Sequence, residues 1–135
     1  MNEKEIIEDA IAHYCDKEGY QFGNKPGSRQ CYYWVESTGN SCAVGRHLSR
    51  QTIEDLNSTN DLSATLFETW EKIKDDLPVK KIEFWKRLQE IHDEAIDNMY
   101  GRYTHLGRRM DLEECKRIAK RKFTYMMTED PLYYD

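Results

Sequence analysis

Apolar residues recur every three to four positions along most of the chain, which is typical of amphipathic helices. This pattern predicts helices at about 3–18, 49–56, 63–76 and 79–100, and a last helix that begins at Asp111. The side chains of the third predicted helix that are expected to face the core are Leu62, Leu66, Phe67, Trp70, Ile73 and Leu77. The fourth has the longest inward stripe, which consists of Ile82, Trp85, Leu88, Ile91, His92, Ala95, Ile96 and Met99. Residues that end helices stand at the expected limits: Gly19, Pro78 and Gly101.

The pattern changes between the first two helices, where aromatic and other strand-forming residues flank a turn. Residues 30–35 and 41–44 are predicted to form the two strands of an antiparallel β-hairpin, with the turn at 37–40. In this register Val35 faces Cys42 and Tyr33 faces Val44. The buried face is then formed by Cys31, Tyr33, Val35, Cys42 and Val44, while the outward side chains are Tyr32 and Trp34. Because a two-stranded hairpin is not stable alone, it must lie against the helices.

These elements predict an α+β fold that is mainly helical, with four or five helices packed on one hairpin at about 30–44. The length of 135 residues allows a single domain, here 1–127, followed by an acidic aromatic tail at 128–135. Nine Tyr, four Phe and three Trp compensate for a low content of aliphatic residues, because each aromatic side chain buries a large area. The sequence therefore predicts a folded domain rather than a disordered chain.

The sequence features predict a cytoplasmic protein without membrane contact. The longest apolar run, residues 31–35, is far shorter than the ~20 residues that a membrane-spanning helix needs. The N-terminus reads Met-Asn-Glu-Lys-Glu, which lacks the features of a secretory signal. The four cysteines, at positions 15, 31, 42 and 115, are accordingly expected to be free thiols.

Positive charge is concentrated near the C-terminus of a chain whose formal net charge is −5. Residues 102–122 include eight basic and three acidic residues. The candidate partner-binding residues in this segment are Arg108, Arg109, Lys116, Arg117, Lys120, Arg121 and Lys122. Such a patch suits phosphate, including that of nucleic acid, or an acidic partner. The alternative is a solvated helix face that is partly neutralised by the protein's own acidic surface.

Exposed aromatic residues are a second class of candidate partner-binding residues, because tyrosine and tryptophan are common at interfaces. Tyr133 and Tyr134 lie in the acidic tail, which could bind the domain's own basic helix or dock a partner. A frayed terminus is the alternative. Tyr32 and Trp34, on the outer face of the predicted hairpin, could serve the same purpose.

His92 and Asp93 are adjacent on the fourth predicted helix, and such a pair can supply a metal ligand or a general base. A histidine that is hydrogen-bonded within the core is the alternative. A zinc site would combine Cys31, Cys42 and His47 with His92 or His13 as the fourth ligand. This set lacks the closely spaced cysteine pair of most structural zinc sites, so zinc is the less favoured interpretation.

No motif for catalysis or for cofactor binding stands out, and no cofactor is predicted. A cysteine hydrolase built from Cys42 and His92 is disfavoured, because Cys42 is expected on the buried face and a reactive thiol needs exposure. Residues 41–45 end at a glycine and could form a small backbone nest for an anion. The phosphate-loop motif and the Gly-x-Gly-x-x-Gly motif are both absent from the sequence.

Three short motifs occur in a fixed order: Cys31-Tyr-Tyr, then Gly39-Asn-Ser-Cys42-Ala-Val-Gly45, then Leu88-Gln-Glu-Ile-His92-Asp93. This order resembles a group of small bacterial and phage proteins of uncharacterised function. In that group a Cys-x-Tyr strand, a Gly-x-x-Cys-Ala-Val/Ile-Gly strand and a Leu-Gln-x-x-His-Asp helix recur. The resemblance covers about half of the chain, and it weakens after the second motif, where the group has Leu-Ile-Pro-Asp and this chain has Arg-His-Leu-Ser.

The resemblance implies that the hairpin docks on the long helix at a junction formed by Cys42, Gly45, Gln89, His92 and Asp93. It supplies no activity, but it favours a phage or bacterial accessory protein in the host cytoplasm. The leading hypothesis is a non-enzymatic protein that binds a host or phage protein as an inhibitor or adaptor, with anti-defence activity among the options. The alternative is a small-molecule or metal site at the junction. Nucleic-acid binding through residues 102–122 carries less weight.

Overall fold

Five α-helices form in the residues that the structure describes, which are 1–101 and 109–128 of a computed structural model. They are α1 (Glu3–Ala10), α2 (Arg50–Ser58), α3 (Leu66–Ile73), α4 (Ile82–Met99) and α5 (Leu112–Thr128). The prediction of a mainly helical protein is confirmed. Within the described residues, no helix has both the length and the apolar content that crossing a membrane requires.

Capping side chains explain where several helices begin. Ser49 caps α2, Thr65 caps α3 and Asp111 caps α5, each by accepting a hydrogen bond from the backbone N–H three positions later. Each bond satisfies one of the N–H groups that the first turn of a helix leaves without a partner. Because Thr65 provides the cap, α3 begins at Leu66 rather than at 63 as expected.

The first predicted helix, 3–18, divides into α1 and a π-helical segment, Ile11–Asp16, that follows it directly. A buried side chain from α5 binds the turn that follows this segment. The Lys116 ammonium donates hydrogen bonds to the carbonyl oxygens of Lys17 at 2.9 Å and Gly19 at 2.6 Å. Both carbonyl groups belong to residues that follow the segment, so the ammonium satisfies backbone groups of this turn and joins the turn to α5.

The hairpin predicted at about 30–44 is wrong, because no β-strand occurs in the described part of the chain. This part of the loop contains only isolated bridges, such as the one between Val35 and Asn40. The neighbouring Tyr33 N–H donates to the carbonyl of Leu62, in the connection between α2 and α3, at 2.8 Å. The backbone groups of this loop thus bond to separate parts of the chain, so a regular ladder does not form.

The predicted strand register is also wrong. Val35 pairs with Asn40 instead of Cys42, and the chain turns into a 3-10 helix, Gly45–His47, where the second strand was expected to end. A fold that is helical in its described residues, with an irregular loop from 17 to 49, therefore replaces the α+β class. Four residues expected on the buried face of the hairpin are nevertheless buried in the loop, and the fifth is partly buried: Tyr33, Val35, Cys42 and Val44, then Cys31.

The long helix α4 lies at the centre of the core and contacts both α3 and α5. Its buried residues are Phe84, Trp85, Leu88, Ile91, His92, Ala95 and Ile96. Two faces of α4 are buried because α5 covers one and the 17–49 loop covers the other. The inward set expected for α3 needs one correction, since Phe67 is 59 % exposed and Thr69 is buried in contact with the Tyr33 hydroxyl.

We predict that Lys116→Met lowers the free energy of unfolding by about 2 kcal/mol, because two backbone carbonyls lose a charged hydrogen-bond donor. Urea denaturation followed by circular dichroism measures this change. Lys120→Met is the matched control on the same helix, since Lys120 is exposed and only pairs with Asp16. Its midpoint should stay near that of the unmodified protein. Equal losses for the two variants would contradict a stabilising role for the bonds from Lys116 to the two carbonyls.

Candidate functional site

Two glycines let the 17–49 loop fold closely on itself. A Cβ atom added at Gly45 would lie 2.0 Å from the carbonyl oxygen of Tyr33, and one added at Gly23 would lie 2.3 Å from the backbone nitrogen of Cys42. Both distances are too short for any side chain. The close approach of backbone to backbone is thus the reason for glycine at these positions.

Gln89 on α4 joins this loop to the helix. Its Oε1 accepts a hydrogen bond from the Val44 N–H at 3.2 Å, and its Nε2 donates to Oδ1 of Asp93 at 2.8 Å. Both ends of the amide are therefore engaged. The i, i+4 spacing of Gln89 and Asp93 places them one turn apart on the same face of α4.

His92 is fully buried, and both of its ring nitrogens have partners. The Gly23 N–H donates to Nε2 at 3.0 Å, so Nε2 carries no proton. The ring proton therefore lies on Nδ1, which is 2.9 Å from Oδ1 of Asp93 and donates to it. The rings of Tyr14 and Phe22 pack edge-on against the imidazole at 5.0 and 5.4 Å. The geometry therefore matches the alternative given above for this pair, a histidine that is hydrogen-bonded within the core.

The two cysteines at the site are held as thiols. Burial raises the pKa of Cys42 to about 12, and its sulfur accepts the Gly45 N–H at 3.3 Å. Burial also raises the pKa of Cys31 far above its usual range, and the nearby Asp93 carboxylate adds to this shift. A nucleophilic cysteine needs a thiolate and a base with a free nitrogen. Here His92 has no free nitrogen, so the arrangement does not activate Cys42.

A group of three potential metal ligands does occur, since Cys31, His92 and Asp93 place ligand atoms within 4.8 Å of one another. A metal on Nδ1 of His92 would move the ring proton to Nε2, where it would meet the Gly23 N–H. The hydrogen bonds therefore favour the metal-free arrangement. Two of the four expected zinc ligands, Cys42 and His47, do not belong to this group.

His47 packs against α4 instead of joining the group of Cys31, His92 and Asp93. Its ring packs against the indole of Trp85 with centroids 5.2 Å apart, and its Nε2 is 3.9 Å from a carboxylate oxygen of Asp9. Burial lowers the pKa of His47, so it is chiefly neutral at pH 7. It acts as a packing residue between the 3-10 turn and α4.

A groove of about 750 Å³ opens beside this hydrogen-bonded cluster. Two chain segments, 28–33 and 62–67, line it together with Cys42, Val44 and one face of α4. The α4 residues that face the groove are Lys86, Gln89, Glu90, Asp93 and Asp97. The exposed Phe67 is part of the lining. Sequence periodicity missed this residue because it was counted with the inward stripe of α3.

The basic residues of α5 are mostly engaged within the protein. Lys116 binds the backbone carbonyls of Lys17 and Gly19, and Lys120 bonds to Asp16 at 2.8 Å. Lys122 pairs with Glu94 of α4, and Arg117 approaches Glu114 at 3.9 Å. The interpretation of a face neutralised by the protein's own acidic residues therefore fits α5 better than that of an open phosphate site.

The other candidate partner-binding residues are more scattered. Arg109 is exposed and lies over the ring of Tyr100 at 5.6 Å, and Arg121 is exposed on α5. Tyr32 lines the groove with Lys25 over its ring, while Trp34 donates to Glu36 at 2.9 Å. Three candidates lie outside the described residues: Arg108, Tyr133 and Tyr134. The described candidates thus do not form one continuous basic and aromatic surface.

Comparison of the chain with protein-family models, with curated proteins and with solved structures gives no match. The function is therefore argued from the geometry of the groove and of the cluster beside it.

We predict that Gly45→Ala destabilises the protein by about 3 kcal/mol or more, because the new methyl group overlaps the Tyr33 carbonyl. Thermal and urea unfolding measure the loss. Gly27→Ala serves as the control, since its Cβ meets no atom within 4 Å and only its φ of +80° opposes alanine. That strain costs about 1 kcal/mol. Comparable losses at both glycines would show that the backbone at Gly45 can move away from the Tyr33 carbonyl at little cost.

We predict that His92 stays in the Nδ1–H tautomer in solution and keeps it when zinc is added. Long-range ¹H–¹⁵N NMR of the imidazole distinguishes the tautomers from the ¹⁵N shifts of the two nitrogens. The physical reason is the Gly23 N–H donor at Nε2. Retention of one equivalent of zinc after dialysis, with a shift of the Nδ1 signal, would contradict this assignment and establish the metal site.

Proposed function

We propose that this chain is a non-enzymatic accessory protein that binds another protein, host or phage, through the groove beside α4. The observation that carries the proposal is the exposed Phe67 on a groove whose reactive side chains are bonded within the protein. Binding would then inhibit the partner or connect it to another protein. An anti-defence role is one such outcome.

Phe67 supports a protein partner because it is a large aromatic side chain with more than half of its surface in water. Exposed aromatic residues in concave surroundings are typical of interaction sites, and aromatic residues supply much of the binding energy at interfaces. In the free protein the ring is covered only in part, by the Lys86 ammonium at 5.5 Å from its centroid. A partner could therefore bury the ring with little rearrangement of the backbone.

Three residues of the cluster next to the groove are poorly placed for catalysis. His92 has no free ring nitrogen, Gln89 uses both ends of its amide, and Cys42 is a buried thiol. A general base or a nucleophile needs an available lone pair that faces the substrate. These three groups instead fix the shape of the wall behind the groove.

A small-molecule site is the second candidate, and the size of the groove supports it. Its volume of about 750 Å³ lies within the ~300–1,000 Å³ range of ligand pockets. The exposed Phe67 favours the protein partner, because small-molecule sites usually enclose their aromatic residues.

We predict that the tagged protein captures one dominant protein in stoichiometric amount from bacterial lysate and that nuclease leaves this capture intact. Phe67→Ala should reduce it about tenfold, as expected when a central aromatic contact is lost. Mass spectrometry after affinity purification gives both results.

Tyr125→Ala is the matched control, because Tyr125 is 61 % exposed on α5 and lies outside the groove. Capture should be unchanged by this substitution. Loss of all captured protein after nuclease treatment would favour nucleic acid instead. Capture that is equally reduced by both substitutions, or by neither, would contradict binding through the groove.

A further inference from the structure

We propose that the groove recognises a basic side chain, arginine or lysine, of the partner protein, and that Asp93 is the residue that pairs with it. This inference rests on the proposed function and specifies the chemistry of the partner. It is argued from the charges that line the groove and from the way in which Asp93 is held.

Asp93 is the carboxylate of the groove that has no cationic partner among the described residues. Of the two other acids that line the groove, Asp97 lies 3.5 Å from the guanidinium of Arg29, and Glu90 lies 3.9 Å from that of Arg87. Within the described residues, Asp93 instead accepts hydrogen bonds from the Gln89 amide and the His92 N–H, and the Cys31 thiol also bonds to it; all three groups are neutral. Its side chain is 44 % exposed, so a ligand can reach it.

His92 does not neutralise the Asp93 charge. A second proton on the imidazole would have to lie on Nε2, and the Gly23 N–H occupies that position at 3.0 Å. The bond between His92 and Asp93 is consequently one between a neutral N–H and a carboxylate. The negative charge stays on Asp93, beside the groove and close to the apolar surroundings of Cys31 and Cys42, where an opposite charge is worth more than in open water.

The hydrogen bonds also orient the carboxylate. Both the Gln89 amide and the His92 Nδ1–H donate to the same oxygen, Oδ1 of Asp93. No hydrogen bond from either residue goes to Oδ2. A carboxylate oriented in advance loses little freedom when it binds, which increases the gain from a charged hydrogen bond.

The apolar part of the groove suits the stem of the same side chain. Leu66 and Phe67 line the groove together with Asp93. Arginine and lysine pack their methylene groups on apolar surfaces while the charged end stays at a polar group, and a cation also binds the face of an aromatic ring. Lys86 already occupies this type of position over Phe67, so a partner cation would displace it or share the ring.

The test compares two synthetic peptides by ¹H–¹⁵N NMR titration of the whole protein at low salt. One is acetyl-Gly-Arg-Gly-amide, and the other carries citrulline, which has the shape of arginine without its charge. We expect saturable shifts of backbone amides in 28–33 and 62–67 with the arginine peptide. The citrulline peptide should bind about fivefold more weakly, the upper range for a solvent-accessible ion pair. Equal binding, or no shifts in the groove, would overturn the inference.

The Asp93→Asn variant tests whether the preference for the arginine peptide depends on Asp93. The asparagine oxygen can still accept from Gln89 and His92, so the fold should be kept, and the Nδ1–H tautomer of His92 verifies this. The difference between the two peptides should disappear in this variant. Asp55→Asn is the matched control, because Asp55 also accepts from a glutamine four positions earlier, Gln51, but lies on α2 outside the groove.

The two proposals fail in different ways. If Asp93→Asn keeps the preference for arginine, the pairing with Asp93 is wrong whatever the pull-down shows. If the lysate partner is captured through Phe67 and Asp93→Asn captures it equally well, binding through the groove stands and recognition of a basic side chain fails. If neither Phe67→Ala nor Asp93→Asn changes the capture, the groove itself is not the binding site.

Discussion

The hydrogen bond from the Gly23 N–H to Nε2 of His92 connects the irregular loop to the centre of the core. Both groups are buried, and leaving either without a partner would cost about 1–3 kcal/mol. The bond also sets the ring tautomer, which directs the Nδ1 proton to Asp93. From there the series continues through Gln89 to the N–H of Val44. One donor thus determines a path of hydrogen bonds that joins two separate parts of the loop to one face of α4.

The same path explains why residue types that suggest chemistry do not form a reactive centre. A histidine, an aspartate and two cysteines lie close together, yet the histidine has no free nitrogen and both thiols are kept protonated by burial. What remains accessible is the shape of the groove and the charge of Asp93. A fixed shape and an unpaired charge are properties that serve recognition, and the exposed Phe67 adds an apolar contact to them.

The basic residues of α5 are largely paired with other groups of the same protein. The excess of basic residues near the C-terminus suggested a phosphate-binding surface. In the structure Lys116 is buried against backbone carbonyls, and Lys120 and Lys122 bond to Asp16 and Glu94. The acidic residues that balance them lie on other helices, so linear charge counting could not identify the pairs.

The sequence by itself determined the helices, because their apolar period and their caps act within a few residues of the chain. Ser49 and Asp111 are examples, and so is Gly101, which follows the C-cap residue of α4 with a φ of +79° that suits glycine. Only the tertiary structure decided the path of residues 17–49. Aromatic residues on either side of a turn favour strands locally. Here, however, the Tyr33 N–H bonds to the carbonyl of Leu62, and Gly23 and Gly45 allow backbone segments that are apart in sequence to come into contact. Because these contacts join residues that are far apart in the chain, the local periodicity of the sequence cannot predict them.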